Sequence, residues 1–557
     1  MAKFNLFKKK AEPTETNFMG EKAYALSSRE ELVSSVLTTF LQDGYYEKEN
    51  ETVERILGLV EKCDPIFVAK LALYARNQGN LRSVTHLLAA SLAIRLSGMK
   101  ESSEFYRKIA VRPDDMSEIV AAYAFLYDMK LTEIKAIPNG IKRGFRARLE
   151  SLDPYLIDKY KMRRREISLI DLVRLFHPKA NEKNAEAYRR LVHGESLEGL
   201  YDAKKLEVEM TRAGQNKKDA TIAEKAEAKH EAISSILANP KGMPIMNLLR
   251  NLRTILLYAP DKVDEACAQL TIPEKILGSR LLPFRFASAY EEIEKVENPR
   301  EAIDSSGIVF ESEMTPIAKI SSHKFKVLKE KLLDSIETAL QISCRNIPRL
   351  SGNVAILNDH SGSCRGDDGG NSRVSAFSKT STAMIGNLFA SMIAWNQDDV
   401  YLGLFGDRLI NVPIDRKMRM LDFNRKSFDI GTKCGGATET GIYTFFRNAV
   451  KSGKKIDNVV IFSDCQIGRG DRFTPWYGSE SKDCSEHFHE LFKKFRKINP
   501  LANIIVVNLR QYGGTSVFDP KQRILNIAGW STSIFNTISS QCKGWDAIIK
   551  EIEAVEI

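Results

Sequence analysis

Residues 354–364 read VAILNDHSGSC, an apolar run that changes abruptly into side chains that carry oxygen. The apolar part predicts a buried β-strand. Asp359, Ser361 and Ser363 follow at alternate positions, so in an extended turn their side chains point the same way. In an open α/β sheet, ligands bind beyond the carboxyl ends of the strands, and this strand end is therefore a candidate site.

The chain after residue 350 alternates between strand patterns and helix patterns. Short runs rich in Val, Ile and Leu occur as NVAIL, DVYLGLFG, NVVIFSD and NIIVVNLR. Segments with helical spacing lie between them: SAFSKTSTAMIGNLFASMIAW, ETGIYTFFRNAVKS and SEHFHELFKKFRKI. This alternation predicts an α/β domain with a doubly wound parallel sheet, which we place at residues 350–557.

The chain before residue 347 has helical spacing throughout. Amphipathic segments follow each other through short polar joints, and Asp64 with Pro65 has the pattern of an N-cap and a first helical residue. Stacked antiparallel helix pairs form a solenoid, and an irregular helical bundle is the alternative. The predicted fold class is therefore mixed and multidomain, with an all-α part at residues 18–347 before the α/β part.

Composition limits the functional classes. With 557 residues the chain exceeds a single core, and 43% hydrophobic with 28% charged residues is ordinary for a globular protein. No apolar run approaches the ~18 residues of a membrane span, and no signal peptide is evident, so we expect a cytoplasmic protein without a membrane partner. The eight cysteines form no C-x-x-C pair, which argues against a zinc knuckle. A net charge of +10 favours a polyanionic partner.

Two further segments are predicted to end at the same edge of the sheet as Asp359. CGGATETG places Thr438 in a loop before a helix, and VVIFSD ends on Asp464. Hydroxyl and carboxylate oxygens are ligands for a hard cation, best suited to Mg²⁺. A polar turn with an N-cap serine is the alternative, and the D-x-S-x-S pattern alone would favour it. The joint pattern with Thr438 and Asp464 favours a metal site instead.

This joint pattern resembles the metal-ion-dependent adhesion site of von Willebrand factor A domains. The resemblance implies that Ser361, Ser363 and Thr438 contact the metal directly, and that Asp359 and Asp464 act through water. It also implies an open coordination position for a carboxylate from a partner. The segment CRGDDGGNSR departs from the family, which usually continues into a helix at this point; Asp367 and Asp368 could bend back and compete with that partner.

Positive side chains are concentrated in three segments of the helical part. IKRGFRARLE spans residues 141–150, DKYKMRRRE spans 158–166, and LLRNLRTILL spans 248–257. The second segment is dense enough to bind phosphates, although a charge run is commonly a solvated face. His177 ends an apolar helical segment before a proline, which is more often a helix-end position than a functional one.

Five segments of the helical part are similar to the TROVE domain: RPDDMSEIV, KAIPNGIKRGF, SLIDLVRLFHPKA, MNLLRNL and SRLLPFRFASAYE. That domain is a ring of HEAT-like helical repeats in the Ro autoantigen family, which joins it to a C-terminal von Willebrand factor A domain. The resemblance covers about residues 18 to 550. It implies an RNA-binding ring followed by an A domain.

The resemblance also implies the RNA ligands and the residues that bind them. In this family Y RNA binds the outer face of the ring, and single-stranded 3′ ends of misfolded RNA enter its hole. The histidine of the family's RL-x-H motif and the preceding basic residues map onto His177, Lys159, Lys161, Arg163, Arg164 and Arg165. Further RNA-binding candidates are Lys142, Arg143, Arg82, Arg250 and Arg285. For Arg76, Arg82, His86 and Arg285, ion pairs within the helical part are equally expected.

The function predicted from the sequence is a non-enzymatic ribonucleoprotein component that acts in small-RNA quality control or decay. The expected partners are Y-like and misfolded small RNAs, with an exoribonuclease or another protein bound through the A domain to a monomeric chain. A metal-dependent protein-interaction scaffold is the alternative. No Walker A loop, HExxH or GxSxG motif indicates an enzyme.

Overall fold

The computed structural model describes most of the chain. The described residues are 13–16, 22–25, 27–38, 49–78, 81–130, 136–163, 165–197, 199–201, 222–238, 243–298, 320–347, 349–366, 381–436, 439–465, 487–509, 515–518, 523–528 and 545–557. They group into two compact units. The first comprises Met1–Glu195, Arg349–Ile414 and Arg425–Ile557, and the second comprises Ser196–Pro348 and Asp415–Asn424. The two units are each built from separate segments of the chain, whereas the predicted ranges 18–347 and 350–557 are each continuous.

Helices dominate the described chain before residue 347, as predicted. In the first unit they are α1 Ser28–Thr38, α2 Glu49–Glu61, α3 Pro65–Asn77, α4 Ser83–Arg95, α5 Ser102–Ile109, α6 Pro113–Leu126, α7 Asn139–Glu150, α8 Pro154–Lys159, α9 Leu169–Phe176 and α10 Ala185–His193. In the second unit they are α11 Ile222–Leu237, α12 Ile245–Tyr258, α13 Val263–Leu270, α14 Pro273–Gly278, α15 Pro283–Glu294 and α16 Ser322–Ser343. Among these described helices, none has the length and apolar character that a membrane span requires.

Local sequence explains where several of these helices begin. The side chain of Asp64 accepts a hydrogen bond from the Phe67 amide at 2.9 Å, and Pro65 is the first residue of α3, which confirms the predicted cap. Ser168 caps α9 in the same way, and Asp171 returns a bond to the Ser168 amide. Caps of this kind satisfy amides that have no partner within the helix.

Helices α5 and α7 approach each other closely because glycine lies at their contact. A Cβ atom on Gly144 would lie 2.5 Å from the carbonyl oxygen of Ser103, so a larger residue does not fit there. Beside this contact, Tyr106 meets Phe145 edge to face, and Phe145 meets Phe176 in the same way. These ring contacts form a continuous hydrophobic core between α5, α7 and α9.

The second part of the described chain contains the α/β fold. Its helices are α17 Gly362–Arg365, α18 Thr382–Trp395, α19 Met420–Gly431, α20 Glu439–Ser452, α21 Phe488–Ile498 and α22 Trp545–Glu553. The strands of the whole described chain are β1 Glu15–Thr16, β2 Lys22–Ala25, β3 Val354–Asp359, β4 Val400–Phe405, β5 Leu409–Asn411, β6 Asn458–Ser463, β7 Asn503–Asn508, β8 Thr515–Ser516 and β9 Ile524–Ala528. Six of them form a sheet in the order β5-β4-β3-β6-β7-β9.

The six-stranded sheet is doubly wound, which confirms the predicted fold class. All neighbours pair in parallel except the β4–β5 hairpin. From β3 the chain passes to β4 on one side and later to β6 on the other, so the strand order switches at the β3–β6 boundary. Ligand sites in open α/β sheets lie outside the carboxyl ends of the strands at such a boundary.

A second, antiparallel sheet was not predicted. Strand β2 pairs with β1 on one side and with β8 on the other, where Tyr24 lies opposite Ser516. The four residues KAYA carry no alternating apolar pattern, and their partner is almost 500 positions away along the chain. The first residues of the predicted all-α part therefore extend the α/β part.

A buried ion-pair network joins α3, α4 and α6. Asp115 is fully buried and accepts hydrogen bonds from Arg76 at 2.9 Å and from Arg82 at 2.8 Å, and the Nε2 atom of His86 lies 2.9 Å from it. Burial acts to raise the pKa of Asp115, but the bonds with His86 and Arg76 outweigh burial and lower that pKa. Arg82 also binds Asp114 at 2.8 Å. The ion-pair alternative for Arg76, Arg82 and His86 therefore describes what these side chains do here.

We expect Asp115→Ala to lower the free energy of unfolding by roughly 3–5 kcal/mol, because it leaves Arg76 buried without its carboxylate. Since the folded-state pKa of Asp115 lies below the unfolded-state value of about 3.9, this contribution is present above that pH and is lost as the pH falls toward the folded-state pKa. Urea unfolding at neutral pH and at about pH 3 measures both effects. The control is Glu104→Ala, which removes an exposed pair with Arg107 and should cost at most about 1 kcal/mol. Equal losses in the two variants would contradict this account.

Candidate metal centre and basic surface

The structure brings four of the five predicted metal-site residues together. The Ser363 hydroxyl donates to a carboxylate oxygen of Asp464 at 2.7 Å, and the hydroxyl oxygens of Ser361 and Ser363 are 3.1 Å apart. The Ser361 amide donates to Asp359 at 2.8 Å. Asp359 is the last residue of β3, and Asp464 directly follows the adjacent strand β6, so the strand pairing places the two carboxylates side by side.

Thr438, Asp367 and Asp368 lie outside the described residues. The nearest described residue before Thr438 is Gly436, whose carbonyl oxygen accepts a hydrogen bond from the Gly362 amide at 2.9 Å. The Gly436 amide in turn donates to Asp407 at 3.1 Å. The loop that leads to Thr438 is therefore joined to the turn that carries the two serines.

Burial and mutual repulsion make it unfavourable for the carboxyl groups of Asp359 and Asp464 to be charged at the same time. Burial and the nearby charge of Asp464 raise the pKa of Asp359 to about 7, against the opposing effect of its bonds with Ser463 and Ser361. In the described chain the partners of Asp359 are the Ser463 hydroxyl at 2.7 Å and the Ser361 amide, and neither is a cation. A divalent cation bound between the two carboxylates would remove their repulsion. The donor set of hydroxyls and carboxylates fits such an ion.

Sequence reasoning missed one member of this cluster, Cys364. One ligand atom from each of Asp359, Cys364 and Asp464 lies within 4.8 Å of the others, and all three residues are buried. Its position directly after Ser363 was the available signal, but neighbours in an extended turn point in opposite directions. Residues 362–365 instead form the short helix α17, which changes the direction of the thiol.

His360, also between the metal-site residues, does not face the centre as a ligand. Its amide donates to the Phe405 carbonyl at 2.7 Å, and its ring packs 5.3 Å from the ring of Phe428. A Cβ atom on Gly431 would lie 2.1 Å from its Nδ1 atom. Burial lowers the pKa of His360 to about 4, so the ring is neutral at physiological pH. It fills the space between β3 and α19.

The predicted basic surface lies on α7, α8, α9 and the loops between them. Arg143 is exposed and Lys142 is half-buried, and neither has an ion pair among the described residues. Arg146 donates to the Phe176 carbonyl at 2.8 Å, at the end of α9. His177 follows in a left-handed conformation with φ 48°, which ends the helix and leaves the side chain exposed. The structure thus brings α7 next to His177.

The cluster at 159–165 is divided between paired and unpaired cations. Lys161 pairs with Asp158, and Arg165 pairs with Glu118. Arg163 is exposed and has no ion pair in the described part of the chain. Arg164 lies outside the described residues. Of this cluster, Arg163 is therefore the described residue with a guanidinium available for phosphate.

Aromatic side chains accompany these cations, and sequence reasoning missed them. The guanidinium of Arg112 lies 5.0 Å from the ring centre of Tyr160, and the ammonium of Lys159 lies 5.8 Å from the same ring. Lys159 also lies 5.6 Å from the ring of Tyr155. Tyrosine alternating with lysine in YLIDKYK was a usable signal, because bases stack on aromatic rings flanked by positive charge.

The remaining predicted RNA-binding residues, Arg82, Arg250 and Arg285, lie outside this basic surface. Arg82 is held by Asp114 and Asp115 and keeps about a third of its side chain exposed. In the second unit, Arg250 and Arg285 are exposed, and the Arg285 guanidinium lies 5.0 Å from the Phe284 ring. Partial burial and the charge of Arg250 lower the pKa of Arg285.

Comparison with known proteins gives three findings. Residues 8–238 match the family model of the TROVE domain. A segment of 113 residues, 20% of this chain, is 22% identical to telomerase protein component 1 of Rattus norvegicus, and it corresponds to 4% of that protein. The crystal structure of the Deinococcus radiodurans Ro (Rsr) protein superposes with a TM-score of 0.60 at 16% identity, and covers 93% of this chain and 99% of that one. The last finding shows a shared fold over nearly the whole length.

Proposed function

Because residues 8–238 match the family model of the TROVE domain and the chain has the fold of the Deinococcus radiodurans Ro protein, we propose that it binds non-coding RNA. The observation that carries the proposal is the set of exposed cations on α7–α9 that have no carboxylate partner among the described residues, Arg143 and Arg163 above all. Both lie within the range matched by the family model. Cations of this kind bind phosphates by releasing condensed counterions.

We further propose that the ligands are Y-like small RNAs on this outer surface, and single-stranded 3′ ends of misfolded RNAs elsewhere on the helical part. Phosphate contacts position an RNA without reading its sequence. Helical RNA is recognised chiefly by its shape, and unpaired bases by stacking on aromatic rings. The pairing of Arg112 with Tyr160 supports an unpaired base at this surface. The role proposed is binding in small-RNA quality control or decay in the cytoplasm.

For the metal centre we propose a bound Mg²⁺ or another divalent cation that anchors a partner protein. Ser361, Ser363 and Thr438 would hold it directly, and Asp359 and Asp464 would support it through water. Such a cation supplies a Lewis-acid position that a carboxylate from a partner, an exoribonuclease for example, can occupy. The cluster of two buried carboxylates also favours the second candidate function, a metal-dependent scaffold for protein interactions without a specific RNA ligand.

We expect the double variant Arg143→Glu/Arg163→Glu to weaken binding of a hairpin RNA with an unpaired 3′ tail. The slope of log K against log salt should become shallower by about 0.7–0.9 for each phosphate contact removed. Filter binding across a series of salt concentrations measures this slope. The control is Lys451→Glu, which reverses an exposed charge on α20 of the α/β part. Unchanged affinity and slope in the double variant would remove this surface from the proposal and favour the scaffold function.

The stacking role of Tyr160 is tested separately. Tyr160→Ala should weaken binding of the same RNA by about 1–3 kcal/mol, because a base loses its aromatic partner, and the salt slope should stay unchanged. Tyr160→Trp should restore the affinity. Fluorescence quenching of 2-aminopurine in the RNA reports stacking directly. Loss of affinity in both variants would indicate a structural role instead.

The metal proposal predicts that Mg²⁺ stabilises the folded chain. At about a hundredfold excess over the dissociation constant, the free energy of unfolding should rise by about 2.7 kcal/mol. Asp464→Ala should abolish the Mg²⁺-dependent shift in melting temperature. Asp398→Ala, an exposed carboxylate paired with Arg349, is the control and should keep the shift. A wild-type chain whose melting temperature is independent of Mg²⁺ would contradict the proposal.

A further inference from the structure

We propose that the α/β part binds a free adenine nucleoside monophosphate in a cavity at the amino ends of β3 and β4. The cavity has a volume of about 210 Å³ and lies between these strands and α20. Val354 begins β3, whereas Asp359 of the metal centre ends it, roughly 16 Å away at about 3.3 Å per residue. The cavity is therefore separate from the metal centre, and it includes none of the residues of the basic surface on α7–α9.

The floor of the cavity is apolar and aromatic. It is formed at the margin of the hydrophobic core between the sheet and α20, by the buried residues Ala355, Phe445, Ala449 and Ile456. The half-buried ring of Tyr401 forms a wall, with its centre 5.7 Å from the ring centre of Phe445. An apolar cavity of ~150 Å³ holds a single benzene ring. A cavity of about 210 Å³ therefore has room for the two fused rings of a purine.

The mouth of the cavity is polar and is formed in part by four exposed residues, Asn353, Asp399, Asn448 and Lys454. Within the described chain, none of these four side chains has a hydrogen bond or an ion pair. The Tyr401 hydroxyl also has no partner among the described residues, and burial raises its pKa, so it remains a hydrogen-bond donor at neutral pH. An apolar floor with a few polar groups at the mouth is typical of a site for a small molecule.

Hydrogen bonds hold the backbone of two residues at the mouth in place. The Asn353 amide donates to the Asp457 carboxylate at 2.7 Å, and the Asn353 carbonyl accepts from the Asp457 amide at 2.9 Å. The Lys454 amide donates to the Ser452 hydroxyl at 3.4 Å, and the Lys454 carbonyl accepts from the side chain of Asn499 at 3.1 Å. A backbone that is already fixed lowers the entropy cost of ordering these side chains around a ligand.

The polar groups at the mouth match the edge of adenine. A carboxamide such as that of Asn448 donates to a ring nitrogen of adenine and accepts from its exocyclic amine, and the Asp399 carboxylate is a second acceptor for that amine. Guanine has an oxygen in place of this amine, and the carboxylate would repel it. Any base can stack on the ring of Tyr401, so selection depends on the edge.

The charges at the mouth favour a single phosphate. The ammonium of Lys454 is available for one phosphate group. Asp399 lies at the same mouth, which is therefore not uniformly positive, unlike the grooves that follow the backbone of a nucleic acid strand. For this reason we assign the cavity to a free nucleotide and not to RNA.

Isothermal titration calorimetry of the full chain with adenosine monophosphate tests the proposal. Binding should saturate at one equivalent and should be about tenfold or more tighter than binding of guanosine monophosphate. Asn448→Ala should reduce this preference for adenine. Lys454→Glu should weaken binding of the nucleotide about tenfold or more and leave binding of adenosine nearly unchanged, because only the phosphate loses its partner. The control is Lys433→Glu, an exposed lysine at the carboxyl end of the sheet, which should change neither affinity.

A cavity-filling variant tests where the base binds. Ala449→Phe places a ring in the cavity from α20 and should abolish binding of both the nucleotide and adenosine, with its melting temperature as the check on folding. If Ala449→Phe binds adenosine as the wild type does, the base lies elsewhere and the assignment is wrong. Should this variant not fold, Asn448→Ala and Lys454→Glu, both at exposed positions, decide the question.

Two further outcomes would overturn the proposal. If neither adenosine monophosphate nor adenosine binds the wild type, the cavity serves another ligand, such as an aromatic side chain of a partner protein. If an RNA with an unpaired 3′ adenosine displaces the bound nucleotide, the cavity belongs to the RNA. Neither outcome affects the proposals for the basic surface on α7–α9 or for the metal centre, which are tested with other variants.

Discussion

The α/β part is organised around two carboxylates that the strand pairing places together in a buried position. In the parallel register of β3 and β6, Asn358 lies opposite Phe462, so Asp359 and Asp464 follow at the same edge. Burial, followed by the nearby charge of Asp464, raises the pKa of Asp359 to about 7. At this edge the Ser463 hydroxyl and the Ser361 amide donate to Asp359, and the Ser363 hydroxyl donates to Asp464. They reduce the cost of burial but supply no positive charge; the proposed cation would supply it.

A site of this kind needs a rigid frame, since ligands must be held close to their final geometry before the ion binds. The frame here consists of backbone hydrogen bonds and close contacts at glycine. His360 is joined to β4 through its amide, and its ring meets α19 where Gly431 leaves room for it. A Cβ atom on Gly386 of α18 would likewise lie 2.2 Å from the Asn358 side-chain oxygen. The turn that carries the serines is thus enclosed by neighbouring elements.

The sequence predicted those parts of the structure whose causes are local. Strand-helix alternation specified the doubly wound sheet, Asp64 and Pro65 specified a helix start, and D-x-S-x-S with Asp464 specified which oxygens meet. It could not decide between RNA contact and ion pairing for Arg82, because Asp115 lies 33 positions further along the chain and on another helix. For the same reason β2 was missed, since its pairing with β8 depends on residues at the far end of the sequence. Cys364 was missed because a single helical turn, too short to leave a periodic pattern, determines its direction.

Within the first unit, N-terminal helices pack against elements of the α/β part. Strand β9 is the last in the six-stranded sheet, and an uncovered edge strand exposes unpaired backbone groups. Helix α1 packs against this strand, and the Ser34 hydroxyl donates to the Asn526 carbonyl at 3.1 Å. Helix α22 packs against α3, where the Tyr74 hydroxyl donates to Glu551 at 3.1 Å. A fragment that starts at residue 350 would lose α1 and α3 together. It would uncover apolar surface and a strand edge, so altered metal binding in such a fragment would reflect exposure of the sheet rather than the chemistry of Asp359 and Asp464.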